Sequence, residues 1–274
     1  MGGAMGFWIL LCIAILSATP TAQALSLERL TDGEIALVQS TLKTLEPLIT
    51  ERKREGTAPL LTFQGLYAPL SRSQKSFLQS IRNLDPSRVK GSSRKLPPPR
   101  PDESFVRLDK QVIVRDGKPI LLDAQYVPDQ AHESYLAMMK AMEEDLGKRL
   151  LVESGYRSPA YQLYLFVFYL SNHGYSIRET NRFVALPGFS EHGSPAFQAI
   201  DFINAEGING EDRPQEFEEL QEYGWLQARA HEFGFHLSYP HPSPPEADPP
   251  RAETSSGQAA TAFEPWHWHW EKPA

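Results

Sequence analysis

The 274-residue chain has one cysteine, Cys12. A single thiol forms no intrachain disulfide, and it cannot build a structural zinc site on cysteines. Cys12 lies inside an N-terminal apolar stretch, so the rest of the chain offers no thiol nucleophile. Leu11 precedes it where a lipidation site would want a small residue. Positive charge is scarce as well. The net charge is -7 and no Lys/Arg block stands out, which argues against a nucleic-acid partner. Long apolar runs are lacking: residues 7–16 are apolar, too short a stretch to span a bilayer comfortably. Thr21-Ala22-Gln23-Ala24 follows as an Ala-x-Ala cleavage pattern, so residues 1–24 read as a secretory signal peptide. No Lys or Arg precedes the apolar run, which leaves an uncleaved N-terminal anchor as the alternative. The expected location is secreted or periplasmic, with no transmembrane helix in the mature chain.

What is present suits one catalytic domain with an appendage: 41% hydrophobic and 22% charged residues. Residues 25–91 have helical apolar spacing through Leu30, Val38, Leu45 and Leu48. Thr31 stands three residues ahead of Glu34, the spacing of a capping box. A second amphipathic piece runs from about Leu60 to Leu84. This region has no histidine and therefore no imidazole ligand. It reads as a helical appendage packed on the catalytic domain or on an envelope partner. Residues 92–104 contain three consecutive prolines and read as an extended linker. Residues 105–274 form the expected catalytic domain.

In that domain the pattern predicts a strand over 111–114, a turn at Asp116-Gly117 and a return strand over 120–122. A helix is expected over 135–146, a strand over 150–153 and a helix opened by Pro159. Further on, 199–203 reads as a strand and 215–233 as a helix interrupted at Gly224. A strand begins at Gly234, and 263–270 reads as an aromatic strand. Residues 240–262 are rich in proline, then serine, and read as a low-complexity loop. The elements do not alternate as βαβ units. The fold class is therefore α+β, a small mixed or antiparallel sheet flanked by helices, with an N-terminal helical appendage.

Two stretches carry the chemistry. Ser190-Glu191-His192 leads through a turn-prone segment to Asp201, and Glu264-Pro265-Trp266-His267-Trp268-His269 lies near the C-terminus. A hydrolytic zinc needs three protein ligands, an open position for water and a carboxylate that takes the water's proton. His192, Asp201 and His267 are the candidate ligands and Glu264 the candidate base. His269 could replace His267, because alternation along a strand puts both on one face. The tryptophans at 266, 268 and 270 would pack on the core whatever the function.

Four separated stretches resemble peptidase family M15, and within it the VanY-like D-alanyl-D-alanine carboxypeptidases. They are Ser154-Gly155-Tyr156-Arg157-Ser158 with Gln162 downstream, Ser190-x-His192 with Ala199-x-Asp201, the segment 234–240, and Glu264-Pro265-Trp266-His267. The resemblance implies one zinc held by His192, Asp201 and His267, with Glu264 as catalytic base. It implies that Arg157 stabilises the oxyanion or holds substrate, with Gln162 as polar wall and Ser190 as support for a ligand. The implied substrate is a peptidoglycan stem peptide, losing its C-terminal D-Ala. Relatives with these ligands cut D,D- or L,D-bonds or act as endopeptidases on cross-links. A cell-wall-binding module without turnover is the reading from another class. One departure is plain: the step from His192 to Asp201 is nine residues where the family pattern has seven, and Phe197 stands at its glycine. The rim of the pocket is therefore expected to differ.

Overall fold

The computed structural model describes residues 25–89, 95–241 and 263–272. The expected signal segment and most of the proline-rich loop lie outside them. Helix α1 (Asp32–Glu55) starts at Thr31, whose side chain and that of Glu34 form the expected reciprocal cap. Such a cap stabilises a helix by about 1 kcal/mol. The helix ends at Gly56, in the left-handed conformation that glycine adopts without a Cβ clash. The second amphipathic piece is not one helix. It divides into α2 (Phe63–Tyr67) and α3 (Arg72–Arg82), because Pro69 cannot continue a helix and Thr62 and Ser71 each cap a new start.

Strands β1 (Phe105–Leu108), β2 (Val112–Arg115), β3 (Lys118–Leu121) and β4 (Gln125–Pro128) come next, followed by helix α4 (Asp129–Leu146). β2 and β3 form the expected hairpin, with β1 paired to β4 across it. Then follow β5 (Leu151–Ser154), α5 (Pro159–Tyr169), α6 (Ile177–Thr180) and β6 (Gln198–Ile203). The chain goes on through α7 (Pro214–Glu218), α8 (Gln221–Arg229), β7 (Phe235–Leu237) and β8 (His267–Trp270). Two further expectations are corrected. The break between α7 and α8 falls at Leu220, which has extended backbone angles, and Gly224 lies inside α8. A helical glycine costs only about 1 kcal/mol, which packing offsets. The last strand takes in only its final four residues, because the chain turns at Pro265 and Trp266.

The central sheet is antiparallel, in the order β5-β6-β8-β7. This mixture of small antiparallel sheets and helices is the expected α+β class. β6 is buried along its whole length. The outer edge of β5 is closed by Gln111, whose amide exchanges two hydrogen bonds with the Val152 backbone at 2.8 and 2.9 Å. A side chain here does the work of a neighbouring strand and leaves no open edge at that point.

Two apolar cores result. One packs the sheet against α4 and α8, through Met138, Phe202, Phe217 and Trp268 among others. The other packs α1 and α3 against α5, through Leu45, Leu78, Leu163 and Phe166. Polar ties reinforce the second. The Ser158 N–H donates to the Pro59 carbonyl at 2.8 Å, the Ser158 hydroxyl to the Leu61 carbonyl at 2.5 Å and the Tyr126 hydroxyl to the Gly56 carbonyl at 3.0 Å. The N-terminal helices thus share a core with the helix that follows Arg157. Among the described residues no helix is long and apolar enough to cross a membrane.

Candidate metal centre

The site begins with strand register. β6 and β8 pair so that Asp201 stands directly opposite His267. His267 Nδ1 lies 2.8 Å from Asp201 Oδ1. His192 reaches the same carboxylate from the short helical turn Glu191–Gly193, with Nε2 3.2 Å from Asp201 Oδ2. The two imidazoles meet edge to face, 4.9 Å between centroids. One ligand atom from each of His192, Asp201 and His267 falls within 4.8 Å of the others, and all three residues are buried. The nine-residue step does not pull them apart. It coils into two successive short turns, Glu191–Gly193 and Pro195–Phe197, and Phe197 lines the cleft above.

The outer nitrogen of each histidine is held. His192 Nδ1 donates to the Gly155 carbonyl at 2.7 Å, which leaves Nε2 with its lone pair toward Asp201. A side chain at position 155 is excluded on the other side of the segment, where a Cβ would clash with the Tyr126 carbonyl oxygen. His267 Nε2 lies 3.1 Å from Glu191 Oε2, and the Ser238 hydroxyl donates to the same oxygen at 2.6 Å. A carboxylate behind a histidine orients the ring and raises its basicity, as metal sites require.

Glu264 is brought in by the turn before β8. The His267 N–H donates to the Glu264 carbonyl at 3.2 Å, so the Glu-x-x-His spacing is one turn. The side chains then converge, with Glu264 Oε2 3.7 Å from His267 Nδ1. Burial pushes the Glu264 carboxyl up to about 7, with the Asp201 charge acting in the same sense. Burial alone would push His267 down. The carboxylates of Asp201, Glu191 and Glu264 outweigh it, and His267 rises to about 10. Burial, then the Arg157 charge, lowers His192 to about 4. Asp201 is held well below its ordinary value by the two histidines, although burial opposes this.

The upward shift of His267 reflects a position that stabilises positive charge among three carboxylates. The donor set fits zinc. In a tetrahedral site with bonds of about 2.1 Å the ligand atoms sit about 3.4 Å apart; here one atom from each residue lies within 4.8 Å of the others, and each imidazole faces a different oxygen of Asp201, at 2.8 and 3.2 Å.

The other expected residues are close by. Arg157 Nη2 lies 2.7 Å from Asp201 Oδ2, and its Nε donates to Ser154 Oγ at 2.8 Å. Gln162 is buried and lines the cleft. Its amide donates to the Ala185 carbonyl at 2.8 Å, while the buried Oε1 has no hydrogen-bond partner among the described residues. Ser190 is buried at the cleft wall. His269 is not part of the triad; its Nδ1 is 2.8 Å from Ser238 Oγ. Sequence reasoning passed over Glu191 and Ser238. Glu191 had a signal, an acid next to a candidate ligand. Ser238 had none, since only the pairing of β7 with β8 brings it there.

A family model described as VanY, D-alanyl-D-alanine carboxypeptidase, matches residues 124–273. The chain belongs to the VanY family. VanY enzymes are zinc carboxypeptidases that act on peptidoglycan peptides, and this chain is a zinc metallopeptidase of that kind. Several solved structures are similar. The LdcB LD-carboxypeptidase is 22% identical over 66% of this chain and 74% of its own, with a TM-score of 0.44. VanYB in complex with D-alanine-D-alanine is 19% identical over 67% and 85%, with a TM-score of 0.45. A vancomycin-resistance D,D-pentapeptidase VanY in complex with Zn(II) is 20% identical over 67% and 86%, with a TM-score of 0.43. The comparison with curated proteins gives no match. The VanY match begins at residue 124, so the N-terminal helices lie outside it.

Proposed function

We propose that this VanY-family protein removes the C-terminal D-alanine from peptidoglycan stem peptides in a secreted or periplasmic setting. His192, Asp201 and His267 hold the zinc and Glu264 is the catalytic base. Residues 105–274 carry the catalytic domain, with the helical region 25–91 joined to it through 92–104. The observation that supports this most directly is the convergence of the Glu264 carboxylate, 3.7 Å from His267 Nδ1, on the buried triad.

Bound zinc supplies Lewis acidity and an activated water. The protein's residues supply the rest. Glu264, whose buried carboxyl faces the triad, takes a proton from the attacking water as its oxygen adds to the scissile carbonyl carbon. The carbonyl oxygen becomes negative in that step. Arg157, its guanidinium fixed by Ser154 and Asp201, keeps further N–H donors for that oxygen. The C–N bond then breaks, and Glu264 passes its proton to the leaving amine. Gln162 forms part of the cleft wall, held there by its amide bond to the Ala185 carbonyl. Ser190 supports the segment that carries His192.

The test is Glu264→Gln, assayed on synthetic pentapeptide and tetrapeptide with a chelator control. The variant should hold one zinc and lose turnover by at least about a thousandfold, in line with removal of a general base. Turnover retained in that variant would refute the role of Glu264. Release from only one of the two peptides would identify the bond that is cut.

A further inference from the structure

The cleft extends well beyond its catalytic end. It encloses about 1070 Å³, the upper end of what a small-molecule site occupies. Away from the triad its wall is made by the end of α5, the turn that follows it and the segment after α6. Tyr169, His173 and Phe183 line the cleft there, with Asn172 and Arg182 beside them.

His173 and Phe183 lie face to face, with ring centroids 4.7 Å apart and planes within 2°. Phe183 is nonetheless 50% exposed. Each ring sits on an anchored segment. His173 sits in a short turn closed by left-handed Gly174, and Arg182 is paired to Glu179 at 3.0 Å with its guanidinium 5.9 Å from the Phe183 ring. An exposed aromatic on a fixed turn inside a binding cleft marks a contact surface, since leaving it in water is unfavourable.

The occupant can be argued from chemistry, and the argument rests on the peptidoglycan reading of the catalytic end. The alanines of a stem peptide are too small to cover such a platform, and its acidic and diamino residues offer flexible charged chains with no flat apolar face. The other part of the substrate is the sugar strand. A pyranose ring has a flat face of C–H groups that packs on an aromatic ring, and its hydroxyl and acetamido groups bond to amides and guanidinium. Phe183, Asn172 and Arg182 supply those partners. We infer that this end of the cleft binds an N-acetylhexosamine ring of the glycan strand, stacked on the His173–Phe183 pair, while the attached peptide reaches the metal end.

The test uses the full-length, zinc-loaded protein and two substrates, the free pentapeptide and the same peptide carried on its N-acetylglucosaminyl-N-acetylmuramic acid disaccharide. The wild type should prefer the disaccharide form in kcat/KM by on the order of tenfold, the scale of one stacking contact. Phe183→Ala and His173→Ala should bring that ratio close to one. Phe168→Ala, which removes a 46% exposed ring that does not line the cleft, should leave the ratio as it was. Saturation-transfer NMR with the disaccharide alone reads the contact without turnover and should lose its signal in Phe183→Ala. If neither peptide is cut but the sugar contact persists, the peptidase reading fails and this one stands. A wild-type ratio near one, a ratio unmoved by Phe183→Ala, or self-association that Phe183→Ala abolishes would overturn the inference.

Discussion

Glu191→Gln is the perturbation that most directly probes how this metal centre is built. Glu191 Oε2 lies 3.1 Å from His267 Nε2 and accepts the Ser238 hydroxyl at 2.6 Å. Its carboxyl is held down at about 2: burial opposes this, and the bonds from His267 and Ser238 overcome it. Glutamine keeps the shape and one acceptor oxygen but loses the charge. A hydrogen bond to a charged group contributes about 1.5–3 kcal/mol, and outer partners of ligating histidines are worth about 10–100-fold in metal affinity, roughly 1.4–2.7 kcal/mol. The two ranges agree. Zinc affinity, measured by competition with a chromophoric chelator, should therefore fall about 10–100-fold while the fold is retained by circular dichroism. Ser238→Ala, which leaves the carboxylate in place, should cost less. Zinc held within about twofold of wild type in Glu191→Gln would show that His267 does not depend on this carboxylate.

Other outcomes follow from particular contacts. In Gly210→Ala the new Cβ would stand 1.8 Å from Trp266 Cε3. The indole next to His267 must shift, costing about 1–3 kcal/mol and lowering zinc content; denaturation midpoints and metal analysis read both. Leu163→Ala empties a fully buried site in the core shared by α5 and the N-terminal helices. It should destabilise by about 2–5 kcal/mol, with the loss of helix and of near-UV signal occurring in one transition. Glu153 is pushed from 4.5 up to about 7, chiefly by burial, with the Asn209 amide opposing at 2.6 Å. The folded state then binds the extra proton between those values, so this group lowers stability as pH rises from about 4.5 to 7. Glu153→Gln should match wild type near pH 4 and exceed it above pH 7 by at most about 3 kcal/mol, in parallel denaturations of chelator-treated proteins.

Much of this is legible in the sequence. Local signals are short-range physics, and they held. Thr31 and Glu34 cap α1, Asp116-Gly117 turns the hairpin and Pro159 opens α5. Errors came where local preference competes with packing. Gly224 looked like a break but stays helical, while Leu220 interrupts the chain as it packs against the sheet core. The run from 60 to 84 kept its apolar period across Pro69 although the helix could not.

The sequence by itself determined which groups are available for chemistry. The one cysteine excluded an intrachain disulfide, and two short stretches supplied the imidazoles and carboxylates of the proposed zinc site. It could not choose between His267 and His269, which alternate onto the same face of one strand. Only the pairing of β8 with β6 separates them, setting His267 opposite Asp201 and His269 opposite Ala199. Nor could it show that a nine-residue loop still returns His192 to 3.2 Å from Asp201, that Glu191 and Ser238 stand behind His267, or that the N-terminal helices share a core with α5. Those are contacts between residues distant in sequence, and they exist only once the sheet has its register and the cores have closed.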